Sequence, residues 1–527
     1  MDTTPAVIHP MTDEYAEYLR DESRTTGTAD SICFPRSEGE VISVLHALHP
    51  TGTPITVQGA RTGLAAAAVP GGGAVINLSR MDKVLSLREQ DGRFFVTVQP
   101  GVVLLNLRKM LASRRFGTDG WDQPSLAALE ALQAAPEQFF PTDPTETTAT
   151  IGGMTACNAS GARSYLYGPM RRHVSALRAV LADGRTLSLR RGQRFADGLS
   201  FCLPLDDGSV IEGALPDYHM PRAKNASGYF IAPNMDLIDL LIGSDGTLAV
   251  VTAIELALSP LPAVIWGATC FFPAEEQAAR FTELVRERMR TIAALEYFDA
   301  RAMDILHEQR KAGGVFARLP DPGGMGAAAI YAELHCQDQD QALSGLRDLA
   351  ALSAEAGGDP ERSWVARTDV DRETLTFFRH AVPESVNSLI DQRRRTSPGI
   401  TKLGSDMSVP NGRLLDVMEL YRSTLAAEGF EYATWGHIGD NHLHVNILPR
   451  DMAEHARGKA LFLRWAQEVT RMGGAVSAEH GVGKLKAPFL TVMAGEQAVE
   501  GMRRLKRAFD PLWQLGRGNL FSEEAGK

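Results

Sequence analysis

No two cysteines in this chain are spaced as CxxC; the five present, Cys33, Cys157, Cys202, Cys270 and Cys336, are scattered. That excludes a disulfide framework and an iron–sulfur cluster held by the chain itself. No apolar run reaches membrane-spanning length. Met1-Asp2-Thr3-Thr4-Pro5 has neither a basic nor an apolar leader segment, so a cytosolic protein is expected. Positive charge is not in excess: 54 Lys and Arg stand against 64 Asp and Glu, for a net charge of -10. No sequence-wide electrostatic case exists for binding nucleic acid, and Arg393-Arg394-Arg395 reads as solvated surface. Repeats are absent, and the one locally simple stretch is Leu64–Ala68. Also missing is a GxGxxG turn followed by an acidic residue about twenty positions on, the mark of a Rossmann site.

What is present is an ordinary globular composition, 44% hydrophobic and 22% charged, over 527 residues. That length exceeds one hydrophobic core and predicts about two or three domains. Up to about residue 260, short β-branched runs (Pro54–Val57, Ala74–Leu78, Phe94–Val98, Leu248–Thr252) alternate with helical stretches at Glu38–Leu48 and Val103–Ala112. Ser259-Pro260-Leu261-Pro262 reads as a linker, because two prolines in four residues interrupt regular structure. Beyond it, strands alternate with amphipathic helices at Ala274–Met289, Asp340–Ala356, Asn411–Ala427 and Asp451–Arg471.

Three glycine-rich pieces lie in the first zone. Gln58-Gly59-Ala60-Arg61-Thr62-Gly63-Leu64 follows a strand, and its glycines let backbone N–H groups converge into an anion-binding concavity suited to a pyrophosphate. A second piece runs through Pro141-Thr142-Asp143, Thr148–Gly153, Asn158–Gly161 and Tyr167-Gly168; a third is Ile242–Leu248. Each alone reads as a turn-rich loop; three in one domain favour a large extended ligand.

The chemistry concentrates in Trp435–Asn446, where His437, His442 and His444 fall within eight residues, and in Glu479-His480, which begins thirty-five residues after His444. Polar and apolar residues alternate over His442–Ile447, so on a strand His442, His444 and Asn446 share one face; His437 precedes a Gly439-containing bend and can fold back towards it. Imidazoles with one carboxylate suit a zinc-like ion with a position left open, and a histidine off the metal can act as a base.

In this order the three glycine-rich pieces resemble the FAD-binding domain of the vanillyl-alcohol oxidase/p-cresol methylhydroxylase superfamily. The later zone resembles the FAD-linked oxidase domain of its 2-hydroxy-acid dehydrogenase branch, which includes D-lactate and D-2-hydroxyglutarate dehydrogenases and the flavin subunit of glycolate oxidase. The similarity runs from Phe34 to Asn519, with its best markers in Asp143–Gly168, Gly436–Asn446 and Ser477–Gly483. It implies an α+β protein: a two-subdomain FAD-binding domain of the p-cresol methylhydroxylase type (1–262), an α+β substrate or cap domain with an antiparallel sheet (263–505), and a tail (506–527) returning to the FAD domain.

By that resemblance FAD, held without a covalent link, contacts Gln58, Gly59, Ala60, Arg61, Thr62, Gly63, Leu64, Pro141, Thr142, Asp143, Thr148, Gly152, Gly153, Asn158, Ser160, Gly161, Tyr167, Gly243, Gly246, Thr247, Leu248 and Asn519. It also implies that His437, His444 and Glu479 bind zinc or manganese, that His480 is the base, and that Asn446 lies beside flavin or substrate. Arg379 falls where the branch places a carboxylate-binding arginine, and Lys402 resembles a substrate-contacting lysine.

The implied reaction oxidises a D-2-hydroxy acid. D-lactate is preferred over a dicarboxylate, because only Lys402 offers a cation beyond Arg379, and Pro383, one turn on, lacks a hydroxyl. Electrons would pass to a quinone, a cytochrome or an electron-transfer flavoprotein. The resemblance leaves room for a homodimer and for peripheral contact with the inner membrane face.

The chain departs from the branch in places. The usual Gly-Asp-Gly-Asn before Leu-His is here Gly439-Asp440-Asn441-His442, so His442 is an extra imidazole, either a ligand or at the site's edge. Lys402 stands four residues before Asp406, where two is more familiar. Trp121–Gln138 (with a helix at Ser125–Ala134) and Gln193–Pro221 read as insertions at the cofactor domain's rim or a partner surface. A flavin synthase of the alkylglycerone-phosphate synthase type, or a non-catalytic flavoprotein subunit, are the rival readings.

Overall fold

A computed structural model describes residues 7–522. Met1–Pro5, read above for leader signals, lie outside the described residues. In the first domain two sheets carry separate cores. Ser31–Cys33, Ala74–Asn77 and Ile55–Gln58 run parallel, with His9–Pro10 antiparallel at the edge. Helix Glu38–Leu48 packs on them: Val41, Val44, Leu45 and Leu48 recur at helical spacing and are buried, and the Ser37 hydroxyl caps the helix by accepting the Glu40 N–H. The second sheet is antiparallel throughout, in the order Val84–Gln90, Arg93–Val98, Val250–Ala257, Val174–Val180, Thr186–Arg190.

The second domain is an eight-stranded, wholly antiparallel sheet in the order Trp364–Ala366, Val264–Phe272, Ala328–Cys336, Ile292–Asp299, Tyr432–His437, His442–Ile447, Leu403–Gly404, with Met407–Ser408 also paired to His442–Ile447. Helices cover both faces, so Ile292–Asp299 and Ala328–Cys336 are buried along their whole length. The period of two sorts their side chains. Leu295, Tyr297, Ile330, Ala332 and Leu334 pack with Phe281 and Leu349 of the helices Glu275–Arg288 and Gln339–Glu355. Phe298, Ala329 and Tyr331 meet Leu306, Phe378 and Val382 of the helices Ala300–Ala312 and Asp369–Arg394 on the other face. Pro383 lies inside that last helix and lacks the N–H that would bond the Arg379 carbonyl. Trp465 centres a further cluster between Leu414–Glu428 and Met452–Arg471.

Two expectations change in detail. Ser259–Pro260, read as an irregular linker, forms a two-residue strand antiparallel to Gln138–Phe139, a short edge pairing that tolerates proline. The two stretches read as rim insertions are packed into their own domain. Helix Gln123–Ala134 buries Ala128 and Leu132, Trp121 Nε1 donates to the Val84 carbonyl, and the hairpin Ser200–Pro204/Val210–Ala214 sets Phe201 against Phe509.

After the second domain the chain re-enters the first core. Val482, Leu490, Val499, Met502, Leu505, Phe509, Trp513 and Phe521 all pack there. Gln514 accepts the Ile55 N–H through its carbonyl, and Asn519 donates to the carbonyls of Asp245 and Ala67. Gly483 makes the crossing possible: its φ is +49°, and a Cβ there would stand 2.1 Å from the Ala65 carbonyl oxygen. We expect Gly483→Ala to cost about 2–4 kcal/mol in chemical denaturation; an unchanged midpoint would show that the crossing is not so constrained.

Candidate active site

One face of the eight-stranded sheet turns its polar residues towards the first domain. Tyr432–His437 and His442–Ile447 form a hairpin in which His437 pairs with His442 and Trp435 with His444, turning at Asn441 in left-handed conformation (φ 51°). Directly paired residues share a face, so all three imidazoles point one way: His442 and His444 have ring centroids 4.4 Å apart, and both lie 5.4 Å from that of His437.

The Glu479 carboxylate meets them from the loop linking the domains. Its Oε2 is 3.3 Å from His437 Nε2 and 3.9 Å from His442 Nδ1, and its Oε1 is 3.2 Å from His444 Nε2 and 3.5 Å from His480 Nε2. From the first domain, the buried Lys224 ammonium donates to Oε2 at 2.9 Å. The loop itself is pinned on both sides: Ala478 N–H donates to the Asp406 carbonyl, and Val482 and Gly483 N–H donate to the Asp245 carboxylate.

A ring of carboxylates orients these groups. Glu296 accepts from His437 Nδ1 at 2.7 Å and lies 4.0 Å from Arg379. Asp406 stands 3.2 Å from His480 Nδ1 and 2.9 Å from His442 Nε2, and accepts from Ser477 and Lys486. Further along, Arg163 bridges the domains to Glu333 at 2.7 Å, which Tyr331 and His335 also engage; Tyr167 bonds His335 in turn.

Burial opposes charge throughout, and pairing wins. Glu479 stays well below the ordinary carboxylate range because Lys224, His437 and His442 outweigh its desolvation. Asp406 is held down by His480 and Lys486 against its burial. His437 rises to about 9, as Glu296 and Glu479 overcome desolvation and the repulsion of Lys224. Burial, then His444, pushes His442 well below the usual imidazole value. Four carboxylates (Glu296, Asp406, Asp440, Glu479) face three fixed cations (Lys224, Arg379, Lys486), and the raised His437 imidazole supplies a fourth positive charge. The ligand atoms of His437, His442, His444 and Glu479 lie within 4.8 Å of one another. Asp440 Oδ2, Asp406 Oδ1 and both His442 nitrogens are buried without a hydrogen-bond partner among the described residues. Donor type and spacing fit a divalent ion.

Next to the cluster runs a cleft, partly open to solvent, whose wall includes Glu479 and His480 themselves. All of Gln58–Leu64 line it, as do Gly152, Gly153, Ser160 and Gly246. Arg61 Nε and Nη1 and Thr150 Oγ1 are buried there without partners, donors suited to a phosphate-rich cofactor. The other expected contacts stand behind the wall. Asp143 pairs with Arg108, Asn158 accepts the Arg171 N–H, Thr247 meets Tyr229, Asn519 holds the Asp245 carbonyl, and Pro141, Thr142, Thr148, Gly161, Tyr167, Gly243 and Leu248 do not line the cleft.

Asn446 is buried on the hairpin face and donates to the His444 carbonyl; Lys402 precedes the neighbouring edge strand, its amine lowered to about 8 by burial and by Arg24. Sequence reading passed over Glu296, Lys224, Asp406 as a charged partner and Lys486, and it held Thr150 and Asp245 only as members of the glycine-rich segments, without naming them as site residues. Their only sequence signals were weak ones, such as the glycines flanking Asp245.

Residues 261–520 match the family of FAD linked oxidases, C-terminal domain, and residues 29–120 and 125–190 match an FAD binding domain. The chain is 25% identical over 503 residues to the glycolate oxidase subunit GlcD of Bacillus subtilis, covering 94% of this chain and 90% of that one. It is 28% identical over 502 residues to a probable mitochondrial D-lactate dehydrogenase of Danio rerio (94% and 85%). Among solved structures, p-cresol methylhydroxylase shares the fold with a TM-score of 0.66 at 14% identity, over 98% of this chain and 94% of that one.

The Arg163–Glu333 bridge gives a test of the domain junction. Arg163→Met strands a buried carboxylate and should destabilise the protein by about 3 kcal/mol at pH 7. Glu333 is depressed below its ordinary range: its burial works the other way, and Arg163 and His335 outweigh it. Its stabilising contribution is therefore present above about pH 4.3 and lost as pH falls. The gap between variant and wild type, followed by denaturation across pH, should narrow as falling pH protonates the stranded Glu333 of the variant; a constant gap would rule out an electrostatic origin.

Proposed function

Because this chain carries both domains of the FAD-linked oxidases and belongs to that family of oxidoreductases, we propose that it oxidises a D-2-hydroxy acid, D-lactate or a close relative, to the 2-oxo acid. One observation carries the reading: Glu479 belongs at once to the imidazole cluster and to the wall of the cofactor cleft, with His480 beside it in that wall. A substrate there touches base, charge cluster and oxidant together.

When bound, FAD supplies the two-electron acceptor, and a divalent ion held by His437, His444 and Glu479 supplies Lewis acidity towards the substrate hydroxyl. The protein supplies geometry. Arg379, half-buried and kept charged by Glu296 and Asp143 against its desolvation, offers a planar fork to the substrate carboxylate. His480 turns Nδ1 towards Asp406 at 3.2 Å, and Nε2 is the nitrogen that would take the hydroxyl proton. Asp406 is itself braced by Lys486 and Ser477, so the carboxylate that faces the imidazole is fixed in place. Asn446 flanks the site, and Lys402 is the further cation for the distal end of the substrate. Electrons leave to a quinone, a cytochrome or an electron-transfer flavoprotein.

FAD is held without a covalent bond. Cys157 lines the cleft, but its thiol is pushed up to about 12 by burial and by Asp245, so it stays protonated and unreactive. Acid precipitation should carry all yellow colour into the supernatant; flavin left in the pellet would refute this.

With a dye acceptor, kcat/KM should rank D-lactate above L-lactate and D-2-hydroxyglutarate, and His444→Ala should abolish turnover while leaving the flavin spectrum intact. An L-isomer preference or a large advantage for the dicarboxylate would overturn the substrate choice. No turnover of any hydroxy acid would return the chain to a flavin synthase or a non-catalytic subunit.

A further inference from the structure

His442 is the imidazole that the resemblance leaves without a role. Each of the three hairpin histidines turns one ring nitrogen towards Glu479 and the other towards an oxygen. His437 gives Nε2 to Glu479 and Nδ1 to Glu296; His444 gives Nε2 to Glu479 and Nδ1 to the Ser405 carbonyl at 3.2 Å. His442 repeats the pattern with its nitrogens exchanged: Nδ1 lies 3.9 Å from Glu479 Oε2, and Nε2 lies 2.9 Å from Asp406 Oδ1. An oxygen behind the far nitrogen is what fixes the tautomer and aim of a metal-binding imidazole.

The bland alternative, a core histidine satisfied by Asp406, fits less well. Asp406 meets only the Nε2 end of the ring, and Nδ1, the nitrogen turned to Glu479, has no hydrogen-bond partner among the described residues. The ring is fully buried, out of reach of bulk solvent. Such a nitrogen, within 4.8 Å of the ligand atoms of His437, His444 and Glu479, lacks only the ion.

We infer that His442 is a fourth protein ligand, so that three imidazoles and one carboxylate hold the ion and select zinc over manganese. The inference rests on the metal reading proposed above and deepens it. Nitrogen-rich sites favour zinc, whereas manganese prefers carboxylate, carbonyl and water oxygens. Deleting one imidazole should therefore weaken zinc far more than manganese. It also means that a substrate hydroxyl reaching the ion would join four protein donors rather than three.

The test uses FAD-loaded wild type, His442→Gln and His442→Asn, each stripped with a chelator. Gln places an amide near the Nε2 position and leaves nothing at Nδ1; Asn keeps a weak oxygen near Nδ1. Zinc and manganese affinities are read by competition with a chromophoric chelator, and the flavin spectrum reports that the fold is intact. We expect His442→Gln to lower zinc affinity by more than about 100-fold, beyond the roughly 10–100-fold loss from disturbing a ligand's hydrogen-bond partner. Manganese affinity should change by less than tenfold, and His442→Asn should fall between.

Cobalt-substituted wild type needs no variant: its proton NMR spectrum should show three hyperfine-shifted, exchangeable imidazole N–H signals. Two such signals, or unchanged zinc affinity in both variants, would overturn His442 as a ligand while the metal reading stands. A wild type that binds neither zinc nor manganese would overturn both.

Discussion

The Glu479 carboxylate is buried where the two domains meet, and a buried anion persists only where partners replace its lost water. Those partners come from everywhere except its own loop, His480 apart. Lys224 reaches it from the first domain, and His437, His442 and His444 from a hairpin of the second. Breaking the arrangement at any one of them leaves the others uncompensated. The position of the linking loop, the aim of the hairpin and the closing of the domains are therefore parts of a single electrostatic constraint.

The two domains meet that constraint in different ways. The second offers rigidity: an antiparallel sheet covered on both faces, with its polar side chains sorted by the period of two. The first offers close approach: glycine-rich turns let backbone and small side chains form the wall of a long cleft. Glu479-His480 stands in both, and Asp245 and Asp406 clamp its loop from opposite sides. A hydroxy acid bound between them would lie in a partly dry pocket where Arg379, His480 and the imidazole cluster act over short distances.

Much of this was legible from residue order. Alternation over His442–Ile447 put three polar side chains on one face, and the Gly439-containing bend returned His437 to it, as the hairpin register shows. Helix Glu38–Leu48 was readable because its apolar spacing and its serine cap agree. The strands at Ile292–Asp299 and Ala328–Cys336 were harder: both faces are covered, so they lack the alternation that marks a half-exposed strand. Asp369–Arg394 hid its helix behind Pro383, which a buried apolar face tolerates and a local reading does not.

By itself the sequence determined which chemical groups stand together on one short hairpin and in one glycine-rich loop, because those relations span a few residues and follow from backbone geometry. Only the tertiary structure decided which charges meet. Glu296 lies 141 positions before His437, and Lys224 lies 255 before Glu479. Contacts over such separations depend on the path of the whole chain, and no local spacing encodes that path.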